Sequence, residues 1–123
     1  MPIVFLVVDH ERPYLEAVAT GLVEAEEVRA HLLEESRRHA LSYPELVDAR
    51  AATPNWSSSE AREIVELLRS LGRESTLGPT AVVVSTDFAF GMLRMLEILV
   101  DDTCSVRPFR SFKEARDWLS GPA

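Results

Sequence analysis

The sequence contains a single cysteine, few basic residues and no long apolar run, and each shortage excludes a class of protein. Cys104 alone can form neither an intrachain disulfide nor a Cys-x-x-Cys metal site, so we expect a reducing compartment, the cytoplasm. Thirteen Lys and Arg against 20 Asp and Glu give a net charge of −7, which argues against nucleic acid and against an anionic membrane as partners. The apolar run at residues 3–8 is too short for a signal peptide or a membrane helix.

The remaining composition is typical of one folded domain. The chain has 123 residues, of which 46% are hydrophobic and 27% are charged. A chain of this length buries a core without needing a disulfide or a metal ion, and it leaves no residues for a second lobe. We therefore expect a single domain over residues 1–123.

Hydrophobic periodicity predicts five strands and four helices. Alternation or β-branched runs indicate the strands, at 3–8, 14–20, 45–49, 80–85 and 103–109. Helical spacing of apolar residues indicates the helices, at 23–39, 57–71, 88–100 and 112–119. The order predicts an α/β fold: an N-terminal β-hairpin, then alternating strands and helices, giving a five-stranded mixed sheet flanked by four helices.

Local signals predict where these elements begin and end. Ser57 and Glu60 have the spacing of a capping box, in which each side chain bonds to the other's backbone N–H. Asp87 is expected to cap the helix at 88–100, and Gly21 to end the hairpin. The strand at 45–49 is expected to lead into a loop over residues 50–56.

Charge is distributed unevenly between two of the predicted helices. The helix at 23–39 carries much of the acid and is expected to present a solvated face formed by Glu24, Glu26, Glu27, Glu34 and Glu35. The helix at 88–100 is charged only at Arg94 and Glu97. The sequence therefore predicts a solvated surface on the helix at 23–39 and a candidate contact surface on the helix at 88–100.

The helix at 88–100 is apolar nearly all round, which is unusual for a surface helix. It could be a deeply packed core helix, or its exposed part could bind a second copy or a regulatory protein. It could also line a pocket for an apolar ligand, expected near Phe90 and Met95. The candidate interface or ligand residues are Phe88, Phe90, Met92 and Met95.

Several stretches, taken together, resemble the SpoIIAA-like branch of the STAS superfamily. They are residues 46–50, the helix that begins at Ser57, residues 81–84 with 90–95, and residues 106–109 with 115–119. The resemblance implies a small mixed sheet flanked by helices, usually without enzymatic activity. It also implies a role in protein binding or ligand sensing in bacterial-type regulation. The branch is similar in fold to lipid-binding domains of the CRAL-TRIO type.

Three consecutive serines are candidates for phosphorylation. The anti-sigma-factor antagonists that this chain resembles carry an Asp-Ser-Ser-Gly turn with a regulatory phosphoserine. Its counterpart here could be Ser57, Ser58 and Ser59, or the stretch 85–87. Neither stretch has the following Gly-Leu. The alternative is a helix cap followed by two exposed serines.

Enzymatic groups are few and scattered. Asp48 and Asp87 each follow a predicted strand, where they could bind a cation or act as acid and base, or could cap the next turn. The three histidines lack metal-site spacing. We expect no enzyme, no metal and no cofactor, and predict a protein-interaction module, as a homodimer or with a regulatory partner. The alternative is a binding protein for an apolar small molecule or lipid.

Overall fold

The computed structural model describes residues 2–121, and the order of its elements confirms the predicted α/β fold. The strands are β1 (Ile3–Asp9), β2 (Tyr14–Val23), β3 (Glu45–Pro54), β4 (Thr80–Val83) and β5 (Val106–Phe109). The helices are α1 (Ala25–Arg37), α2 (Ser58–Glu74), α3 (Asp87–Leu99) and α4 (Phe112–Leu119). Among the described residues, no helix is both long enough and apolar enough to span a membrane.

The five strands lie in the sheet in chain order, from β1 at one edge to β5 at the other. β1 and β2 form an antiparallel hairpin, and every later pair is parallel. Each parallel pair needs a crossover, and right-handed crossovers that advance in one direction place their helices on the same face. This topology puts α1, α2 and α3 on one face of the sheet and leaves the other face to α4.

The sheet consequently separates two cores. Val47 and Val82 point towards the larger core, where they join Leu68 of α2 and Leu93 of α3. The smaller core lies under α4 and contains residues of three strands and Ala115. Residues 81–84 are all buried, as the valine run predicts, because β4 has helices on both faces.

β2 and β3 are longer than the sequence predicts. β2 continues through Gly21, which has φ +69, and pairs Thr20–Val23 with Ala51–Pro54 of β3. The predicted loop at 50–56 is therefore largely strand, and Asp48 lies within β3 rather than at its end. The ladder of β2 supplies partners to a segment of low intrinsic strand propensity, so tertiary pairing overrides the local signal.

Two predictions at helix positions are also wrong. Thr86, not Asp87, caps α3, because the Thr86 hydroxyl accepts a hydrogen bond from the backbone N–H of Ala89. Glu35 does not belong to the solvated face of α1, since it is only 4% exposed. The capping box of Ser57 and Glu60 is present.

Candidate functional site

One face of α3 is apolar and exposed to solvent. Phe88 and Ile98 are each 59% exposed, while Met95 and Leu99 are 39% and 40% exposed. These residues and Gly91 recur at intervals of three, four and seven positions, so they form one continuous stripe along the helix. The opposite face is buried in the larger core through Ala89, Leu93 and Leu96. α3 is thus a core helix on one side and an open apolar surface on the other.

The four candidate residues on this helix separate into two pairs. Phe88 and Met95 belong to the exposed stripe, whereas Phe90 and Met92 are half-buried and pack against the larger core. The guanidinium of Arg110 lies 4.9 Å from the centre of the Phe90 ring. Phe90 is therefore held by a cation–π contact and by the core, and is less available to a partner than Phe88.

A second exposed apolar patch lies on β1, at the edge of the sheet. Val4, Leu6 and Val7 are 51%, 58% and 44% exposed, because α4 does not extend over this part of the sheet. The ladder between β1 and β2 is broken by a bulge between Phe5 and Val7. Bulges on edge strands disrupt the regular hydrogen-bonding edge that another strand would need.

An apolar cavity of about 140 Å³ lies inside the larger core, between the sheet and α1, α2 and α3. Small side chains on the sheet leave this space unfilled, chiefly Ala19, Ala49 and Ala52, with Ala89 of α3 on the helix side. Phe90 and Met95, where the sequence predicts a pocket, do not line the cavity. Its wall also includes Ile3, Val23, Val28, Leu32, Val47, Pro54, Ile64, Leu68, Val82, Val84, Leu93, Leu96 and Val106.

Polar residues interrupt this apolar wall at Trp56, at Thr80 and at the pair of His31 and Glu45. The Nε1 atom of Trp56 is buried and has no hydrogen-bond partner among the described residues. His31 and Glu45 also reach the wall, with the Nε2 atom of His31 2.7 Å from a carboxylate oxygen of Glu45. The wall of the cavity is therefore mainly hydrocarbon, with a few polar side chains at its margin.

Glu35 completes a buried cluster with His31 and Glu45. The Oε2 atom of Glu35 lies 3.1 Å from the Nε2 atom of His31 but accepts no hydrogen bond from the residues that the structure describes. The three side chains are 9%, 4% and 3% exposed, in the order His31, Glu35 and Glu45. The Phe5 ring stacks on the imidazole at 4.6 Å between centroids, which closes this side of the cluster.

Burial and charge shift the pKa values in this cluster. Burial alone would lower the pKa of His31, but the carboxylates of Glu35 and Glu45 outweigh it and raise the pKa above its ordinary value. Burial raises the pKa of Glu35, and the neighbouring carboxylate of Glu45 raises it further. Both shifts favour the protonated forms, so the cluster tends to retain protons that offset its carboxylate charge.

The two predicted aspartates have separate arginine partners. Arg50 donates two side-chain hydrogen bonds to Asp48, at 3.0 and 3.1 Å, and these bonds lower the pKa of that carboxyl group. Asp87 accepts a 2.5 Å hydrogen bond from Arg110. An arginine occupies the oxygens of each carboxylate, and at Asp48 it also disfavours the protonated form that a general acid needs.

The three predicted serines lie at the beginning of α2. The Ser57 hydroxyl accepts a 3.2 Å hydrogen bond from the N–H of Glu60 and contacts the Ser59 hydroxyl at 3.1 Å. All three serines are exposed. The cap accounts for Ser57, and phosphorylation of Ser57, Ser58 or Ser59 stays a prediction.

Two features of the candidate sites were not predicted from the sequence: the full extent of the exposed stripe on α3 and the buried cluster of His31, Glu35 and Glu45. Ile98 and Leu99 extend the exposed stripe, and their spacing from Met95 is a signal that a helical projection contains. His31 and Glu35 stand four residues apart, which places both on one side of a helix. Glu45 could not be added to that pair from the sequence, because only the fold brings the start of β3 beneath α1.

Comparison with known proteins identifies the fold. No family model and no curated protein matches the sequence. A solved structure does match: an uncharacterized protein of the DUF3478 family with a SpoIIAA-like fold, from Shewanella loihica PV-4. The two superpose with a TM-score of 0.61 at 20% identity, over 95% of this chain and 93% of the other. This α/β domain therefore has the SpoIIAA-like fold, as the sequence resemblance predicts.

Proposed function

We propose that this protein is a non-enzymatic regulatory module that forms a homodimer through the exposed face of α3. The observation that carries the proposal is the stripe of Phe88, Met95, Ile98 and Leu99, four large apolar side chains exposed on a single helix. Exposed apolar residues that are grouped in this way are typical of interaction surfaces, whereas isolated ones are not. The arginine partners of Asp48 and Asp87 support a role without catalysis.

The shape and charge of the stripe favour a second copy of the chain as the occupant. A Cβ atom added at Gly91 would have no neighbour within 4 Å, so the helix is open at the middle of the stripe and another helix can approach closely. Each copy carries a net charge of −7, which disfavours contact between acidic faces. The α3 face is nearly uncharged, since Arg94 and Glu97 already pair at 2.6 Å.

The patch on β1 is the weaker alternative interface. Val4 and Val7 are exposed, but pairing of two β1 edges would require a regular ladder, and the bulge after Phe5 disrupts it. A helix–helix contact through α3 needs no such register. The two surfaces lie on different elements, so mutations can distinguish them.

Sedimentation velocity over a range of protein concentrations tests the dimer. We expect the wild type to form a dimer, and Phe88→Asp and Ile98→Asp to shift it to monomer. Leu33→Asp is the matched control, because Leu33 is 44% exposed on α1, away from the stripe. A wild type that is monomeric at every concentration, or a dimer that persists in both α3 variants, would overturn the proposal.

We infer a second candidate function from the cavity, which is binding of a small apolar molecule. A dry apolar cavity of about 150 Å³ accommodates one benzene molecule, so about 140 Å³ fits a ligand of that size. A lipid chain would require the helices to move away from the sheet.

Xenon binding followed by NMR tests the cavity. We expect the wild type to bind xenon, and Ala52→Leu to abolish binding by filling the space. Ala51→Leu is the matched control, because Ala51 is the exposed neighbour on the same strand. Absence of xenon binding to the wild type, or equal binding to both variants, would remove this candidate.

A further inference from the structure

The cluster of His31, Glu35 and Glu45 has the composition and spacing of a metal site. One nitrogen and two carboxylate oxygens, one ligand atom from each residue, all lie within 4.8 Å of one another. The contacts to the His31 nitrogen are 2.7 and 3.1 Å. Ligands about 2.0–2.1 Å from a tetrahedral zinc ion stand roughly 3.3 Å apart, so the 2.7 and 3.1 Å contacts to His31 would lengthen by about 0.6 and 0.2 Å.

Two features of the cluster indicate that its carboxylate oxygens are incompletely satisfied by the protein. It buries two carboxylates against one imidazole, and no Lys or Arg in residues 2–121 forms an ion pair with Glu35 or Glu45. Among residues 2–121, the buried Oε2 atom of Glu35 has no hydrogen-bond donor, although it lies 3.1 Å from the same nitrogen. Buried carboxylate oxygens are normally hydrogen-bonded or bound to a metal, so one without a hydrogen bond beside two other ligand atoms is placed to bind a cation.

We propose that His31, Glu35 and Glu45 form a binding site for a divalent first-row transition metal ion, represented by zinc. The imidazole ligand disfavours magnesium and calcium, which prefer oxygen ligands throughout. A divalent ion balances the two carboxylates while leaving the imidazole neutral. Three protein ligands leave one coordination position, which water or a donor atom of a molecule in the cavity can fill.

The residues are held as a metal site requires. His31 and Glu35 are one helical turn apart on α1, so both are fixed by a single rigid element. Glu45 is the first residue of β3, and its backbone N–H donates a 2.9 Å hydrogen bond to the carbonyl of Pro79. The ligands therefore come from two ordered elements rather than from a loop.

Isothermal titration of metal-free wild-type protein with zinc chloride tests the site. We expect one zinc ion per chain, and binding at least about 10-fold weaker in Glu35→Gln, which replaces one ligand oxygen with an amide of similar shape. His31→Gln should lose binding as well. Glu34→Gln is the matched control, because Glu34 is the next residue on α1 and pairs with arginines outside the cluster.

Cobalt substitution provides a readout that does not depend on the variants. Wild-type protein with one equivalent of cobalt should show the intense visible absorption of a four- or five-coordinate ion. Separately, circular dichroism checks that each variant in the zinc titration is folded. Absence of zinc and cobalt binding by the wild type would overturn the proposal. Unchanged affinity in both Glu35→Gln and His31→Gln would also overturn it, since the metal would then be bound elsewhere.

Discussion

The Nε2 atom of His31 on α1 lies 2.7 Å from a carboxylate oxygen of Glu45, the first residue of β3. This contact joins a helix to the sheet on which it packs, beside a cavity where apolar packing is incomplete. It is also the one place in the wall of that cavity where charged groups meet. Because both side chains are buried, we expect this contact to affect the stability of the fold.

Removal of Glu45 should destabilise the protein strongly. Glu45→Ala leaves a buried imidazole without its closest partner, and breaking a buried pair from one side costs about 3–5 kcal/mol. Urea unfolding with EDTA present measures the change. Glu34→Ala removes a half-buried carboxylate of α1 that lies outside the cluster, and it serves as the control. A loss no larger than that of the control would show that the buried contact contributes little.

The cavity predicts opposite effects of adding volume on the two faces of the sheet. Ala52→Val should be neutral or stabilising by up to about 1 kcal/mol, because Ala52 borders the empty space. Ala81→Val should destabilise by about 1–3 kcal/mol, because Ala81 is fully buried in the core under α4 and does not line the cavity. Thermal unfolding of the two variants and the wild type measures the changes in stability. Equal losses of stability in both variants would contradict the presence of the cavity.

The helix cap at Ser57 should be worth about 1 kcal/mol. Ser57→Ala removes the hydroxyl that accepts a hydrogen bond from the N–H of Glu60. Loss of such a cap typically lowers the free energy of unfolding by about 0.5–2 kcal/mol. Ser58→Ala is the control, because Ser58 is exposed and is the first residue of α2. Chemical denaturation compares the two, and a larger effect at Ser58 would mean that the cap is not the role of this turn.

Cys104 should react slowly with alkylating reagents in the folded protein. Burial and the nearby Asp102 carboxylate raise the pKa of its thiol to about 11, from an ordinary value of 9.0. Because the thiolate is the reactive form, two pKa units reduce its fraction at pH 8 about 100-fold. The rate with iodoacetamide is compared between native and urea-unfolded protein, and it should rise steadily as the pH increases towards 11. Equal rates in the two states would contradict the shift.

Local sequence patterns predicted most of the secondary structure. The capping box of Ser57 and Glu60 and the valine run at 81–84 both predict what the structure contains, because each depends on neighbours along the chain. The length of β3 could not be predicted in this way. Residues 50–54 have weak strand propensity, and they are extended because β2 pairs with them.

The exposure of α3 was predictable in part. The apolar excess of the helix at 88–100 predicts a contact surface, which stays a prediction, and Phe88 and Met95 are exposed. Which of its residues face the core depends on the direction from which the sheet approaches. That direction placed Phe90 and Met92 against the core and left Ile98 and Leu99 in solvent.

The sequence by itself determined the order of elements, the α/β class and the segregation of charge from the apolar helix, since hydrophobic periodicity and composition encode these. Only the tertiary structure decided where the cavity lies and which ionisable groups meet beside it. Packing density there depends on side chains from the sheet and three helices at once, which no local pattern records. His31, Glu35 and Glu45 come together because the crossover from β2 through α1 returns the chain to the sheet beneath its own helix.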